Sequence, residues 1–284
     1  MGLKQFADAK AFQARILPIL GENEVVHNLI LGIASRLVDL PDVHAGPVYM
    51  AVVERGGMLR LAGLMTPPRA LLFAAVGQPD VEDVRLIVQS LLDGGWQVPG
   101  VNAAEAGAGM FARVWGAMSG MAYEIEMSLR LFDLREVTPP RPATGRLRLA
   151  GADDLDLAVA WTNAFETEIM GKGHEDTARK LTAHRIDAGD VYLWEDEVPV
   201  SMAVAVRKSA HGATVGGVYT PPELRGKGYA SCCVAGLSQA QLDAGKDYCA
   251  LFTDLANPTS NHIYQMIGYR PVCDFKHYVF KERD

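Results

Sequence analysis

Gly217-Val218-Tyr219-Thr220-Pro221-Pro222-Glu223-Leu224-Arg225-Gly226-Lys227-Gly228-Tyr229-Ala230 is the most informative stretch of this 284-residue chain. A β-rich run ends in a proline turn, and a basic loop with two glycines then opens into a helix expected over Ser231–Ala244. A helix start leaves up to four backbone N–H groups without intrahelical partners, and the macrodipole adds partial positive charge there. Glycines let such a backbone curl around an anion, and Arg225 and Lys227 add two full charges. The combination reads as a pyrophosphate cradle. It is not a Walker loop, because Lys227 is followed by Gly228 instead of Ser or Thr, and Ser231 stands where a Rossmann fingerprint needs glycine. What remains is Arg-x-x-Gly-x-Ala: Arg225, Gly228 and Ala230.

A second segment, Asp254 to Pro271, runs Asp-Leu-Ala-Asn-Pro-Thr-Ser-Asn-His-Ile-Tyr-Gln-Met-Ile-Gly-Tyr-Arg-Pro. With the loop it resembles the GNAT acyltransferase superfamily, whose signature is Gln/Arg-x-x-Gly-x-Gly/Ala at a strand-to-helix junction. That family's second pattern sets an Asn before an apolar-Tyr-x-x-x-Gly-Phe/Tyr run, matched here by Asn257, Tyr264, Gly268 and Tyr269. The resemblance at full strength covers about 145–284.

The resemblance implies an α/β fold of two GNAT-like domains, each a mixed twisted sheet flanked by helices, and an acetyl-coenzyme A-dependent N-acetyltransferase. It implies that Val218, Tyr219 and Thr220 lie on the strand whose backbone pairs with the pantetheine arm. The amides from Arg225 through Gly226, Lys227, Gly228 and Tyr229 to Ala230 would hold the pyrophosphate, Asn257 would hydrogen-bond the pantetheine, and Tyr264 would stand beside the thioester sulfur. A phenol, protonated at neutral pH, can donate to sulfur as it leaves. A buried tyrosine at that helical position also serves as core packing. Acceptor sites in this family form near the end of the first helix, which makes Glu166 and Glu168 candidate substrate-binding residues. His174 and Glu223 are further candidates for a base, and solvated surface is the better reading for each of these four residues. The acceptor expected is a small amine or an amino-acid-like molecule. A non-catalytic acyl-coenzyme A-binding module is the alternative, and O-acyl or longer-chain transfer stays open.

The remaining sequence sets the frame. Residues 7–37 read as two amphipathic helices, followed by strands over Val48–Glu54, Met58–Met65 and Ala70–Val76. A helix over Val81–Leu92, a strand near Trp96–Val98, a helix over Gly107–Met118 and a strand over Tyr123–Asp133 complete the first half. The cluster Thr138-Pro139-Pro140-Arg141-Pro142 reads as an extended linker. The order then begins again, so the two halves look like copies of one plan, divided into 1–138 and 145–284, with Val272–Phe280 closing the second. Where the first half should carry its cradle it has Gly77-Gln78-Pro79-Asp80-Val81-Glu82-Asp83, with one glycine and three acids. Like charge there opposes a diphosphate, so this copy is expected to wall the cleft and not to bind coenzyme A.

Composition narrows the partners. The chain is 49% hydrophobic and 21% charged, with a net charge of −7, which suits a folded globular protein. Basic and acidic residues number 11 and 15 in 1–140 and 16 and 19 in 141–284, so neither half presents a basic stripe for nucleic acid or anionic membrane. The four cysteines form no C-x-x-C pair, Cys232 and Cys233 read as small core fillers, and the histidines show no metal spacing. No metal is expected. With neither a signal-like start nor a long apolar run, a cytoplasmic location is expected.

Overall fold

The computed structural model describes the chain except Met1, Asp42, Val43, Ala45, residues 171–174 and Asp284, and gives only the backbone of Met170 and residues 175–178. The chain divides into two compact units. The first comprises Met1–Leu131, Asp254–Ala256 and Val272–Asp284, and the second Phe132–Thr253 and Asn257–Pro271.

The element order repeats. The first half runs β1 (Gly2–Gln5), α1 (Ala9–Leu20), α2 (Glu24–Asp39), β2 (Tyr49–Arg55), β3 (Met58–Met65), β4 (Leu71–Ala75), α3 (Val81–Asp93), β5 (Gly100–Ala104), α4 (Glu105–Ser119) and β6 (Ala122–Leu134). The second runs β7 (Arg146–Leu149), α5 (Leu155–Met170), α6 (Glu175–Asp187), β8 (Val191–Asp196), β9 (Val198–Lys208), β10 (Gly212–Tyr219), α7 (Tyr229–Asp243), β11 (Tyr248–Asp254), α8 (Pro258–Met266) and β12 (Arg270–Lys281). Two elements differ from the sequence reading. β1 was not expected, and it pairs antiparallel with β2 from Gly2↔Glu54 to Gln5↔Ala51. The strand expected at Trp96–Val98 lies at Gly100–Ala104 instead, and Trp96 meets the Tyr49 ring edge-on at 5.6 Å.

In the first unit β2, β3 and β4 are largely buried on both faces, so they read as nearly continuous apolar runs. Tyr49, Ala51 and Val53 of β2 join Val84, Ile87, Phe111 and Trp115 in the core under α3 and α4. Met50 and Val52 turn to the opposite face and meet Phe12, Ile16, Leu20, Ile30 and Leu31 of α1 and α2. Taken as one helical run, Ala9–Asp39 is long and apolar enough to cross a membrane by length and hydropathy. A 3-10 turn at Gly21–Asn23 interrupts it, and one face of it lies in the core just named.

The strand order in the first unit is β1-β2-β3-β4-β5-β12-β6. β12 therefore does not close the second copy, as the division at 1–138 and 145–284 assumed, but lies antiparallel to β5 from Phe275↔Ala104 to Val279↔Gly100. Polar pairs fasten it to β6. Arg130 donates to both oxygens of Asp274 at 2.7 and 2.9 Å, Lys276 donates to the Ser128 hydroxyl at 2.9 Å, His277 meets Glu126 at 3.1 Å, and Lys281 pairs with Glu124. Opposite charges facing each other across strands favour this partner over a like-charged one.

The second unit orders its strands β11-β10-β9-β8-β7, with the end of β6 beside β11. One face carries Trp161 of α5 with Leu193, Met202, Val204 and Tyr219. The other carries Cys233, Val234 and Leu237 of α7 with Tyr192, Ala203, Val215, Ile267 and Tyr269. Residues 191–193 alternate between the two faces, as a strand covered on both sides requires.

Candidate functional site

β10 and β11 are parallel and paired over a short register, Gly212↔Tyr248 to Thr214↔Ala250. Val215–Tyr219 lie past that register, while on its other edge β10 stays with β9 as far as Tyr219↔Met202. Between Gly216↔Val204 and Tyr219↔Met202 the ladder shifts by one residue. Such a bulge increases local twist and re-aims the strand end. Val218 and Tyr219 thus sit on the stretch of β10 past its pairing with β11, and Thr220 follows directly.

That strand end is fixed by a buried polar knot. The Ser201 hydroxyl donates to the Tyr219 carbonyl oxygen at 3.2 Å and lies 2.9 Å from the Thr220 hydroxyl. Arg225 donates from Nε to the Thr220 carbonyl oxygen at 2.9 Å. Its guanidinium lies 5.9 Å from the Tyr219 ring centroid, and that ring meets Trp161 at 6.0 Å.

The loop then makes a 3-10 turn over Pro222–Leu224 and delivers the chain to α7. Gly226 and Gly228 take φ of +78° and +86°, values that L side chains rarely adopt, and nothing stands within 4 Å of a Cβ built on Gly226. Gly228 caps α7 with no side-chain hydrogen bond. Helix geometry leaves the amides of Tyr229, Ala230 and Ser231 without intrahelical acceptors. A bare helix start follows a left-handed, unobstructed turn, and Lys227 stands exposed within it. These features fit a diphosphate: uncommitted donors, partial positive charge and no Cβ in the way.

Some of the expected residues are otherwise engaged. The Arg225 amide donates to the Pro222 carbonyl oxygen at 3.3 Å, so the run of amides able to meet an anion begins at Gly226. The Tyr229 side chain points away from the loop: it is buried, and its hydroxyl donates to Asp196 at 2.6 Å. Asp196 also accepts from Thr144 at 2.7 Å, and these two hydrogen bonds hold its carboxyl below the usual range. Asn257 is the N-cap of α8, its oxygen accepting from the Ser260 amide at 3.0 Å. Its side-chain NH2 makes no such capping bond and is left for a ligand. Glu168 accepts from Arg225 Nη2 at 2.7 and 3.0 Å. Glu166 is half-buried two residues earlier on α5, Glu223 lies exposed in the 3-10 turn, and His174 falls outside the described residues.

Tyr264 sits on α8, partly buried against the core that includes Ile267 and Tyr269, with the Tyr269 ring 6.0 Å away and edge-on. Burial pushes its phenol up to about 12. Its hydroxyl makes no hydrogen bond among the described residues. Gly268 has φ of +107°, and a Cβ there would lie 2.6 Å from the Glu136 carbonyl oxygen, which is why this turn holds glycine.

Ser201, Asp196, Thr144 and Trp161 escaped the sequence reading. Ser201 alone left a trace, as a lone hydroxyl in the otherwise apolar run Val200–Val206.

The corresponding place in the first unit is built from the same parts and closed. β4 and β5 pair only at Leu71↔Val101 and Leu72↔Asn102. The helix that follows, α3, is capped by Asp80, which accepts from the Glu82 amide at 2.9 Å. Asp83, fully buried, meets Arg55 at 2.7 Å and Arg60 at 3.6 Å, and Asp80 meets Arg55 at 3.2 Å. The chain's own carboxylates thus hold both the helix start and the nearby cations. Among the described residues no group of three or more His, Cys, Asp or Glu is placed to hold a metal.

A family model described as FR47-like protein matches residues 196–279. No curated protein matches the sequence. Solved structures resemble the whole chain at low identity. A GCN5-related N-acetyltransferase from Sphaerobacter thermophilus aligns at 13% identity and a TM-score of 0.68, over 99% of this chain and 97% of that one. A GNAT-family acetyltransferase from Colwellia psychrerythraea aligns at 13% identity and a TM-score of 0.59, over all of both chains. A tandem GNAT protein from the clavulanic acid biosynthesis pathway aligns at 11% identity and a TM-score of 0.58, over 99% of this chain and 98% of that one.

Proposed function

We propose, for a chain whose fold is that of the GNAT superfamily in tandem form, that the second unit transfers an acetyl group from coenzyme A to the amine of a small or amino-acid-like acceptor. The observation that carries this reading is the bare start of α7, reached through Gly226 and Gly228 directly after β10 parts from β11. The first unit has the same topology without that opening, so the contrast lies within one chain.

The thioester supplies an acyl group already activated towards an amine. The chain's part is to hold and to donate. The amides from Gly226 to Ala230 meet the diphosphate, with Lys227 adding charge. The backbone of Val218 to Thr220 offers donors and acceptors to the extended arm, and the same donors meet negative charge developing on the carbonyl oxygen. Tyr264 donates a hydrogen bond to the departing sulfur. With its phenol pushed up to about 12, it is a hydrogen-bond donor at any physiological pH. Full proton delivery from this phenol to a thiolate, whose conjugate acid lies near ~8.5, is uphill; the proton that the attacking amine nitrogen sheds as the amide forms, passed on through water, is the one that ends on the sulfur. No carboxylate or imidazole among the described residues is singled out as the base, and most of the acceleration comes from holding the reactants together.

The test is calorimetric titration with acetyl-coenzyme A, followed by a transfer screen over polyamines, amino acids, aminoglycosides and peptide N-termini. Binding with turnover of one class supports the enzyme. Tight binding with a silent screen favours the non-catalytic binding module. Absent binding removes both.

A further inference from the structure

The Arg225–Glu168 pair is not accounted for by the fold. Both side chains are about half exposed, 48% and 47%, and ion pairs this exposed contribute little to stability. Yet the pair joins two places that matter: the first residue of the Arg-x-x-Gly-x-Ala loop and the last turns of α5. Arg225 is also the best-anchored cation of the loop. Nε is committed to the Thr220 carbonyl oxygen at 2.9 Å and Nη2 to both oxygens of Glu168 at 2.7 and 3.0 Å, while Nη1 makes no hydrogen bond among the described residues. A single nitrogen thus spans the carboxylate, and the forked two-nitrogen geometry that gives such pairs their strength is not formed.

We propose that Arg225 is a counter-ion shared between Glu168 and the diphosphate, so that Glu168 competes with acyl-coenzyme A for it. This rests on the acyl-coenzyme A reading given above. A diphosphate at Gly226–Ala230 arrives one to five residues from Arg225 in the same loop. It carries more charge than a carboxylate, and Nη1 is already uncommitted. The Nε bond to Thr220 keeps the guanidinium at the strand end throughout, so only the Nη2 contact is exchanged. Glu168 opposes binding by holding Nη2, and the diphosphate gains the full cation only as that contact is exchanged. The pair is thus weak as a brace and well placed as a brake.

The test is a thermodynamic cycle read by calorimetry with acetyl-coenzyme A, using the full chain and its Glu168→Gln, Arg225→Gln and doubly substituted forms. Glu168→Gln keeps the shape of the side chain and is expected to bind about fivefold tighter, close to 1 kcal/mol. Arg225→Gln is expected to bind about tenfold more weakly. In the Arg225→Gln background the second change is expected to add nothing, because the cation that was competed for is gone. Unchanged or weaker binding by Glu168→Gln, with normal binding by the unsubstituted chain, overturns the shared counter-ion alone. An equal gain in both backgrounds also overturns it, since Glu168 then acts by repulsion and not through Arg225. Absent binding by the unsubstituted chain overturns the underlying reading, and this proposal falls with it.

Discussion

The Ser201 hydroxyl donates to the carbonyl oxygen of Tyr219 at 3.2 Å and stands 2.9 Å from the hydroxyl of Thr220. With its own proton committed to Tyr219, Ser201 accepts the proton of Thr220, and the end of β10 is held from β9 by two hydrogen bonds in sequence. Ser201→Ala removes both and leaves a buried hydroxyl and a buried carbonyl oxygen short of a partner. The expected cost is about 1–3 kcal/mol. Acetyl-coenzyme A affinity should fall with it, because the strand that would pair with the pantetheine arm is less well fixed. Urea unfolding and calorimetry read the two effects separately.

Gly228→Asp should place a carboxylate at the start of α7, reproducing what Asp80 does for α3. Aspartate tolerates the left-handed conformation better than most residues, so the protein is expected to remain folded by circular dichroism. Acetyl-coenzyme A affinity is expected to drop at least ~100-fold, from like charge and from lost access to the amides. Retained affinity would mean that the diphosphate lies elsewhere.

The first unit predicts a stoichiometry. Asp80 and Asp83 hold Arg55 and Arg60 where the second unit presents free amides. One acetyl-coenzyme A per chain is expected in calorimetry, and two would contradict the reading of this helix start as closed by its own carboxylates.

Much of this was legible beforehand, and the exceptions have a common cause. Gly226 and Gly228 announce themselves because a left-handed turn admits few other residues, and the apolar runs of β2–β4 and β8–β10 announce buried strands. The exchange of β12 into the first unit left no such mark. β6 and β12 are both long, both half-polar, and either could close either copy; the choice rests on pairings such as Arg130 with Asp274, which are 144 residues apart. Asn257 matches the pattern of a ligand contact and keeps its amide NH2 for that role. The same Asn before Pro258 is also a good helix cap, and the structure commits its oxygen there. The strand signal of Trp96-Gln97-Val98 is denser than that of Gly100-Val101-Asn102-Ala103-Ala104, where Val101 alone is a strong strand former; the place of β5 is set by its partners β4 and β12.

Tyr264→Phe should separate chemistry from binding. The hydroxyl has no partner among the described residues, so its loss costs the fold little, and acetyl-coenzyme A affinity should stay within about threefold. Turnover on the acceptor found by the screen is expected to fall by about 100-fold, the range lost with one hydrogen-bond donor aimed at charge that develops in the transition state. Because burial pushes this phenol up to about 12, turnover should not decline between pH 8 and 10 on its account. A decline in that range that disappears in the variant's residual activity would show the phenol to be far more acidic than its surroundings imply.

His27 on α2 gives the first unit an acid sensitivity of its own. Burial lowers its imidazole to about 4, whereas an exposed histidine in the unfolded chain titrates near ~6.5. The folded form therefore binds the proton less readily than the unfolded one. Its contribution to stability is complete above about pH 6.5 and is lost as pH falls towards 4, with a slope of at most about 1.4 kcal/mol per pH unit. Replacement by leucine removes the titrating group and keeps the side chain apolar beside Leu31 and Ile30 on the same helix. Urea midpoints followed by tryptophan fluorescence should then fall less steeply in the variant than in the unsubstituted chain between pH 6.5 and 4, with no difference in slope above pH 7. The carboxylates, common to both proteins, cancel in that comparison. Parallel curves over the whole range would mean that protons reach this imidazole as easily in the folded protein as in the unfolded one.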